Sequence, residues 1–444
     1  MKSTRFLILL LVVANLLYGL IPGFVVPVLF MRENSIFMIV FIRFLVAGTI
    51  LFVFIIIQLL IGNRHGKVGK DSFFKATAGD IWAYLRSRNA RFLNAPRMVY
   101  IYILAFFGVG LNVVTYLIGL EKLSINLQLV GGPGGAIIVV SLYNLAKGHE
   151  RITLFKAIYL FMMFLSLGLV VVATESATST KATPTGLIAL GLNLLSLFIL
   201  FVYMSRDAPS PDERSWGEQK HSNLALMRLL VKLVLFMMLG AGSILLFAIV
   251  GMLVPGTYLH VLSTAFFKQL PDAWWFVIQP HMLGLSIVST AVAYLCLFLP
   301  AAFWDTEHSL SLDQWNSILY LLDPIFGTSI SMLLGFEDVD TVLMVVTLAI
   351  LVVAILLRFV HERESKFNAI IWINITFGKQ REVLQMLSRF DEIRKYYWLA
   401  GQADAMIKAT FGTMREYHRF LAMLGLEKTI KIKFDMLSFV NKVV

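Results

Sequence analysis

Charge and cysteine are scarce in this sequence of 444 residues. Charged residues make up only 15% of it and hydrophobic residues 58%, whereas soluble domains have about a quarter charged and about half apolar residues. This excludes an ordinary soluble protein. Cys296 is the single cysteine, so an intrachain disulfide is also excluded. The eight His residues show no metal-ligand spacing, and no nucleophile–base pattern or phosphate-binding loop occurs. The sequence therefore predicts no enzyme, cofactor or metal site.

Long apolar runs stand in place of these features. A helix needs about 20 residues to cross a hydrocarbon core roughly 30 Å thick. The first run is too long for a signal peptide and lacks a cleavage site, so we expect it to be retained. We predict ten transmembrane spans, numbered one to ten in chain order: 6–30, 36–61, 98–118, 126–145, 152–173, 186–204, 224–254, 274–303, 315–334 and 339–357. In the eighth, Pro280 is expected to end a surface segment that holds Trp274 and Trp275.

Lysine and arginine are distributed unevenly between the two sides of these spans. The loops on the side of both termini carry 15 of them, and the opposite loops carry 4. Positive charge favours the cytoplasm, so both termini are predicted to be cytoplasmic in a multi-pass protein of the cell membrane. Most of the net charge of +11 is then a topology signal that also attracts anionic lipid. A nucleic-acid partner is not expected.

The loop 62–97 is unusually long and basic. Phe73, Phe74, Ile81, Trp82 and Leu85 recur at helical spacing between its basic residues. This favours a helix on the inner membrane surface. A disordered basic loop remains the alternative.

The chain contains one five-helix unit twice, in residues 1–178 and 179–360. The echoes are Asn15-Leu16-Leu17 with Asn193-Leu194-Leu195, Ile42-Arg43 with Met227-Arg228, Tyr116 with Tyr294, Pro133 with Pro324, and Glu150 with Glu337. Because each unit has an odd number of helices, the second must enter the membrane from the opposite face. The sequence therefore predicts an all-α bundle of ten helices, built as an inverted repeat suited to alternating access.

Several of these motifs resemble the drug/metabolite transporter superfamily, EamA type. They are Ala14 to Gly19, Ile42-Arg43-Phe44, the turn 119–126, Gly148-His149-Glu150-Arg151, and Asp323-Pro324. The resemblance covers nearly all of 6–357. It implies that helices one to four and six to nine enclose a central pathway, with helices five and ten at the periphery.

Residues 366–444 form a separate soluble domain in the predicted architecture. Alternating apolar residues indicate strands at 368–376, 393–399, 405–411 and 429–439, with helices at 379–390 and 413–424. The order βαββαβ is ferredoxin-like. With Gly401 and Asp404 in a turn before a strand, it also resembles the effector domain of leucine-responsive/AsnC-type regulators. That resemblance implies a cytoplasmic domain that pairs as a homodimer or binds an amino acid near Gly401 and Asp404.

Asp323 is the one acidic residue predicted deep inside a span. Charge at the bilayer centre costs at least about 2.5 kcal/mol, so it needs a partner or a use. It can receive a substrate amine or a coupling proton, or it can form a structural pair with Arg228 or Lys232.

Three further positions have two interpretations each. Arg43 can draw an anionic group inward or extend to headgroups, as we favour for Arg228 and Lys232. Pro133 and Pro324 each free a backbone carbonyl, which makes a hinge or a simple kink.

Polar and aromatic side chains recur along spans one, three, six and eight. They are Asn15, Tyr18, Asn112, Thr115, Tyr116, Asn193, Ser289, Thr290 and Tyr294. Such a lining suits a small zwitterion or an aromatic metabolite. Hydrogen bonding between helices is the alternative role for each of them.

These features together predict a secondary transporter that exports small amino acids or related metabolites. Two alternatives remain open. One is a carrier of nucleotide-sugars or sugar-phosphates, and the other is a membrane receptor in which the bundle only anchors the ligand-binding domain.

Overall fold

The apolar runs fold into long helices. The computed structural model describes residues 4–30, 35–65, 67–68, 71–89, 94–147, 152–175, 183–204, 222–303, 312–337, 339–364, 367–387, 390, 392–399, 401, 403–412, 414–427 and 429–439. The helices before residue 365 are α1 Thr4–Gly19, α2 Ile21–Phe30, α3 Ile36–His65, α4 Phe73–Arg86, α5 Arg97–Ala105, α6 Asn112–Lys122, α7 Ile125–Lys147, α8 Leu154–Glu175, α9 Pro184–Met204, α10 Ser222–Met252, α11 Tyr258–Gln269, α12 Ala273–Ile278, α13 Pro280–Leu283, α14 Ala293–Phe303, α15 Leu312–Leu319, α16 Leu322–Leu333 and α17 Thr341–Glu364.

Short elements connect some of these helices. Two-stranded ribbons pair β1 (Lys67–Val68) with β2 (Asp71–Ser72), and β3 (Arg88–Asn89) with β4 (Ala95–Pro96). A 3₁₀ turn, Leu270–Asp272, precedes α12. π-helical segments join α5 to α6 (Phe106–Leu111) and α13 to α14 (Gly284–Val292). These two segments occupy spans three and eight, the third span of each predicted half.

Nine helical segments within the described residues are long and apolar enough to cross a bilayer. They coincide with nine of the ten predicted spans, and the protein is therefore a multi-pass membrane protein. The eighth segment begins at Pro280, and Trp274 and Trp275 lie before it in α12, as predicted. The ninth predicted span is instead two shorter helices, α15 and α16, neither of which reaches spanning length by itself.

The break in the ninth span has a local cause. Pro324 has no N–H to donate to the carbonyl of Tyr320. The N–H of Asp323 bonds that carbonyl instead, over 3.3 Å, and the helix is interrupted at Tyr320 and Leu321. Its predicted counterpart, Pro133, lies in the unbroken helix α7 among the glycines of residues 131–135, all of which are buried. The two prolines therefore differ in their effect.

The packing of the spans has a regular pattern. Spans two and seven pack along each other, as do five and ten, and four and nine. Span three packs on six and span one on eight. Span four contacts six, and one contacts nine. Exchanging spans one to five for six to ten carries the first three contacts onto themselves and each of the others onto another observed contact.

An additional helix lies beside spans two and seven at two places in the chain. Helix α4 follows span two and packs on α3, α5 and α10, and helix α11 follows span seven and packs on α3 and α10. The helix predicted in the loop 62–97 is thus confirmed. Ile81 and Leu85 pack against the bundle, whereas Trp82 is exposed.

After α17 the chain forms a four-stranded sheet. Its elements are β5 Phe367–Ile375, α18 Gln380–Leu387, β6 Ile393–Trp398, β7 Ala405–Phe411, α19 Met414–Leu426 and β8 Ile430–Phe439. The strand order is β6-β7-β5-β8, and every neighbouring pair is antiparallel. Alternate residues of β5 and β7 are buried against the two helices. The predicted positions of the strands and helices are confirmed to within a few residues.

Candidate functional site: a cavity between the spans

A cavity of about 570 Å³ lies in the middle of the helical bundle. Spans from both predicted halves contribute to its wall. Of the predicted pathway residues, nine line it: Asn15, Tyr18, Arg43, Asn112, Tyr116, Pro133, Asn193, Tyr294 and Asp323. Polar groups on an apolar, aromatic wall are typical of small-molecule sites.

Arg43 is one of the cationic residues in this wall, with Lys232 and Arg358. It lies about two turns into α3 and is only 3% exposed. Its Nε donates to Thr290 Oγ1 over 2.6 Å and its Nη2 to the carbonyl of Ser289 over 3.4 Å. Thr290 in turn donates to the carbonyl of Leu285, five residues earlier in the π-helical segment. The side chain therefore points inward to span eight and does not extend to headgroups.

Asp323 is the acidic residue of the wall that lies between the spans, away from the end that reaches the soluble domain. It occupies the first turn of α16, directly after the break in the ninth span. Within the described part of the chain, its carboxylate makes no hydrogen bond, and it forms no ion pair with Arg43. A buried carboxylate without a partner is costly. The arrangement therefore leaves one negative and one positive group available inside one cavity.

The pairing of Asp323 with Arg228 or Lys232 is not observed. Arg228 instead binds Asp80 of α4, donating from Nε over 2.6 Å and from Nη2. Lys232 lines the cavity, with its ammonium 5.8 Å from the centre of the Tyr100 ring. The prediction that Arg228 extends to headgroups is wrong, since an acidic partner on α4 holds it.

Aromatic rings form much of the remaining wall. Tyr294 is the centre of this group. The ring centres of Tyr18, Phe236 and Phe298 lie 5.5, 5.7 and 6.2 Å from that of Tyr294, with the Tyr18 ring perpendicular to it and the Phe298 ring parallel. Tyr320 also lines the cavity, three residues before Asp323. Sequence reasoning missed Tyr320, although its spacing from Asp323 on one helical face was a usable signal.

Asn193 of span six is the centre of a hydrogen-bonded cluster with residues of spans three and four. Its Nδ2 donates to Asn112 Oδ1 over 2.7 Å and to the Asn112 carbonyl over 2.9 Å. Its Oδ1 accepts from Gln128 Nε2 over 3.3 Å. A Cβ on Gly132 would lie only 2.7 Å from that Oδ1. Glycine is thus required here for the approach of two helices, and the cluster ties spans three, four and six together.

Asn15 is the predicted counterpart of Asn193, but it has fewer partners. Its Nδ2 donates to the carbonyl of Leu11, on its own helix, over 2.7 Å. Its Oδ1 is buried and has no hydrogen-bond partner. Asn15 therefore has an unused acceptor in a side chain that lines the cavity.

Two predicted pathway residues lie behind the wall. Ser289 is fully buried and takes part through its carbonyl, which accepts from Arg43, whereas its hydroxyl has no partner. Pro324 is buried beside Asp323 and does not line the cavity. Its contribution is the helix break that precedes Asp323.

One end of the cavity reaches the soluble domain. The wall there includes Arg358 and Glu362 of α17, and Glu392, Thr410, Gly412 and Glu416 of the domain. The predicted effector residues lie elsewhere. Asp404 Oδ2 accepts from the N–H of Ile375 over 2.7 Å, and Gly401 has a positive φ of 150°. In this structure Asp404 therefore stabilises the turn between β6 and β7.

Glu337 has an unexpected role at another end of the bundle. Its carboxylate accepts from the N–H groups of Ile125 and Asn126, from Asn126 Nδ2 and from Ser124 Oγ, at 2.8 to 3.2 Å. It thus caps the N-terminus of α7, where negative charge is favoured by the helix dipole. Its predicted counterpart, Glu150, lies outside the described residues.

Among the described residues, no group of three His, Cys, Asp or Glu side chains is placed to hold a metal ion. No family model matches the chain, and no curated protein matches it. One solved structure, described only as "Crystal structure of protein", is 14% identical over 81% of this chain and 99% of its own, with a TM-score of 0.47. Similarity at that level supports no inference about function.

Proposed function

We propose that the protein is a secondary transporter that exports small amino acids or related zwitterionic metabolites by alternating access. The observation that carries this proposal is the cavity that Arg43 and Asp323 both line without forming an ion pair with each other. A solute with an ammonium and a carboxylate group would satisfy both of them at once.

The packing of the bundle supports an inverted repeat of two five-helix halves. Exchange of the halves preserves the contacts between spans, the π-helical segments in spans three and eight, and the additional helices α4 and α11 beside spans two and seven. Inverted repeats are typical of secondary transporters, whose sites lie at the repeat interface. In this proposal α15 and α16 together form the ninth of ten membrane spans, as a broken helix whose interruption holds Asp323 at the site.

The strand order β6-β7-β5-β8, with the connections βαββαβ, supports a ferredoxin-like domain. In the proposed protein this domain is cytoplasmic and adjoins the inner mouth of the cavity. It either senses an amino acid or holds two bundles together as a homodimer. The structural engagement of Asp404 favours dimerisation over ligand binding.

The carboxylate of Asp323 argues against a carrier of sugar-phosphates or nucleotide-sugars. Such solutes carry multiple negative charges, and they would meet Asp323 in the same cavity as Arg43 and Lys232. Repulsion between like charges would offset much of the attraction that the two cations provide.

Counterflow in proteoliposomes tests the proposal. Vesicles that contain the purified protein and an excess of one unlabelled amino acid should take up the same labelled amino acid faster than protein-free vesicles, and saturably. If no member of a panel of amino acids produces counterflow while the protein is folded and inserted, the transporter assignment fails and an anchored receptor is left.

A further inference from the structure

We infer that the cationic group of the solute is a primary ammonium, held jointly by Asn15 and Asp323, and that N-trimethylated solutes are rejected. This inference rests on the proposed transport function and makes the substrate class more specific. It follows from the unused acceptors in the wall and from the way in which spans one and nine pack.

Asn15 has one amide atom without a partner. Its amide is oriented by the bond from Nδ2 to the Leu11 carbonyl, so Oδ1 is the atom left without a donor. Asn15 is 2% exposed, and its Oδ1 has no partner. A buried acceptor that lacks a donor is unfavourable, and a ligand N–H would remove that cost.

The packing of spans one and nine brings Asn15 next to Asp323. A Cβ on Gly19 would overlap Phe326 and Gly327, and a Cβ on Gly23 would lie 3.5 to 3.7 Å from Leu334 and Ile330. The residue numbers rise together on both helices, so spans one and nine run parallel at this contact.

One turn earlier on each helix, about 6 Å along the axis, the same faces carry Asn15 and Asp323. Both side chains line the cavity. Two neighbouring acceptors, of which one is neutral and the other is a carboxylate, are therefore offered to a single donor group. An ammonium with three N–H donors can satisfy both of them.

The aromatic residues of the wall could also attract a quaternary ammonium group, so the site must distinguish it from a primary ammonium. Tyr18, Tyr294, Phe236 and Phe298 form a surface of the kind that also binds quaternary ammonium groups through cation–π attraction. A trimethylammonium group, however, has no N–H and would leave the Asn15 acceptor unsatisfied. A site whose acceptors need a hydrogen bond from the ligand strongly rejects an analogue that has no N–H to donate.

Arg43 completes the site from span two. Its Nε and Nη2 are engaged by Thr290 and Ser289, which fixes the plane of the guanidinium. Among the described residues, Nη1 has no partner, and it can donate to the carboxylate of the same solute. The primary ammonium and the carboxylate are thus recognised by different helices.

The test compares amino acids with their N-trimethyl derivatives in counterflow. The probes are alanine, threonine and phenylalanine, each paired with its N,N,N-trimethyl form, in proteoliposomes of the full chain. We expect each primary amine that is transported to be preferred at least about tenfold over its derivative. An equal or greater rate with the trimethyl form overturns the inference and leaves the transport function standing. If none of the six is transported, both proposals fall.

Two variants separate this role from a general effect of the wall. Asn15→Leu should reduce the preference about tenfold, mainly by slowing the primary amine. Asn316→Leu is the matched control, because Asn316 also lines the cavity with an unpartnered Oδ1 but lies in α15, before the break. It should keep the preference of the wild type. An equal loss of preference in both variants contradicts a specific role for Asn15. If Asn15→Leu does not fold, the wild-type comparison alone still decides the inference.

Discussion

Asn193 and Asn15 occupy corresponding Asn-Leu-Leu motifs, yet their surroundings differ. The Asn193 amide is satisfied on both of its atoms, by Asn112 and Gln128, beside an unbroken helix that contains Pro133. Asn15 leaves its Oδ1 unpaired, beside a helix that is broken before Asp323 and Pro324. We call Asn193 with its partners Asn112 and Gln128 the closed cluster, and Asn15 with Asp323, whose acceptors are unused, the open cluster.

The residue before each proline accounts for much of this difference. Gly132 allows the Asn193 amide to approach its helix, whereas the corresponding position before Pro324 is Asp323. A satisfied polar cluster rigidifies a fold, and an unsatisfied one is a cost that function can justify. We propose that the Asn193 cluster, although Gln128 Oε1 has no partner, serves stability and that Asn15 and Asp323 serve binding.

Removing the charges of the open cluster should have the largest effect on transport. Asp323→Asn or Arg43→Gln deletes a charged hydrogen bond to the solute, worth about 1.5 to 3 kcal/mol, so affinity should fall about 10- to 150-fold. Counterflow as a function of solute concentration measures this. Folding of Asp323→Asn should be retained, because Asp323 has no hydrogen bond to lose among the described residues, whereas Arg43→Gln also loses the bonds to Thr290 and Ser289. Unchanged transport in Asp323→Asn would mean that the open cluster, like the closed one, has only a structural role.

Substitutions in the closed cluster should instead lower stability and leave the affinity for solute unchanged. Asn193→Leu removes three hydrogen bonds and leaves Asn112 and Gln128 partly unsatisfied. We expect it to lower the free energy of unfolding by about 2 to 4 kcal/mol, seen as a lower melting temperature in detergent. Gly132→Ala should act similarly, since its Cβ would press on the Asn193 amide. Solute affinity of the folded fraction should remain. A loss of affinity without a loss of stability would show that Asn193 is part of the binding site.

Glu337 of the predicted second half binds the N-terminus of α7 in the first half, and its substitution should cost less stability than that of Asn193. Glu337→Gln weakens charge-assisted bonds to the N-terminus of α7 and should cost about 1 to 2 kcal/mol. Asp340→Asn is the matched control, because Asp340 caps only its own helix, through Val342 and Leu343. A thiol probe placed near Asn126 should become more accessible in Glu337→Gln than in Asp340→Asn. Equal accessibility would mean that Glu337 does not hold that end of the bundle closed.

The pair between Asp80 and Arg228 should matter least. Its side chains are partly exposed, and such pairs contribute up to about 1 kcal/mol. Asp80→Asn should therefore lower the melting temperature slightly and leave counterflow unchanged. Glu382→Gln, which breaks an exposed pair with Lys379, should have no measurable effect. A loss of transport in Asp80→Asn would instead place α4 in the transport cycle.

Much of the fold was predictable, because apolar runs of spanning length and alternating strands are direct signals of burial. The helix in the loop 62–97 was visible for the same reason, through the spacing of Ile81 and Leu85. The break at Tyr320 was not predictable, since Pro133 sits in a similar apolar run and leaves its helix continuous. Whether a proline interrupts a helix depends on what packs around it.

The site was predictable in its membership and less so in its contacts. Polar residues in apolar helices mark a cavity or a helix contact, and Asn15, Arg43 and Asp323 all line the cavity. The partners depend on tertiary packing, so the pairing of Arg228 with Asp80 and the capping of α7 by Glu337 could not be read from spacing.

The most direct measurement is the membrane side of the corresponding ends of the two halves. Cys296→Ser gives a chain without cysteine, into which Ala146→Cys, at the end of α7, and Leu334→Cys, just after α16, are introduced singly. A membrane-impermeant thiol reagent is added to either side of sealed vesicles. We predict that Ala146→Cys is labelled only from the cytoplasmic side and Leu334→Cys only from the opposite side. Labelling of both positions from one side would contradict the inverted halves and the solute passage that they enclose.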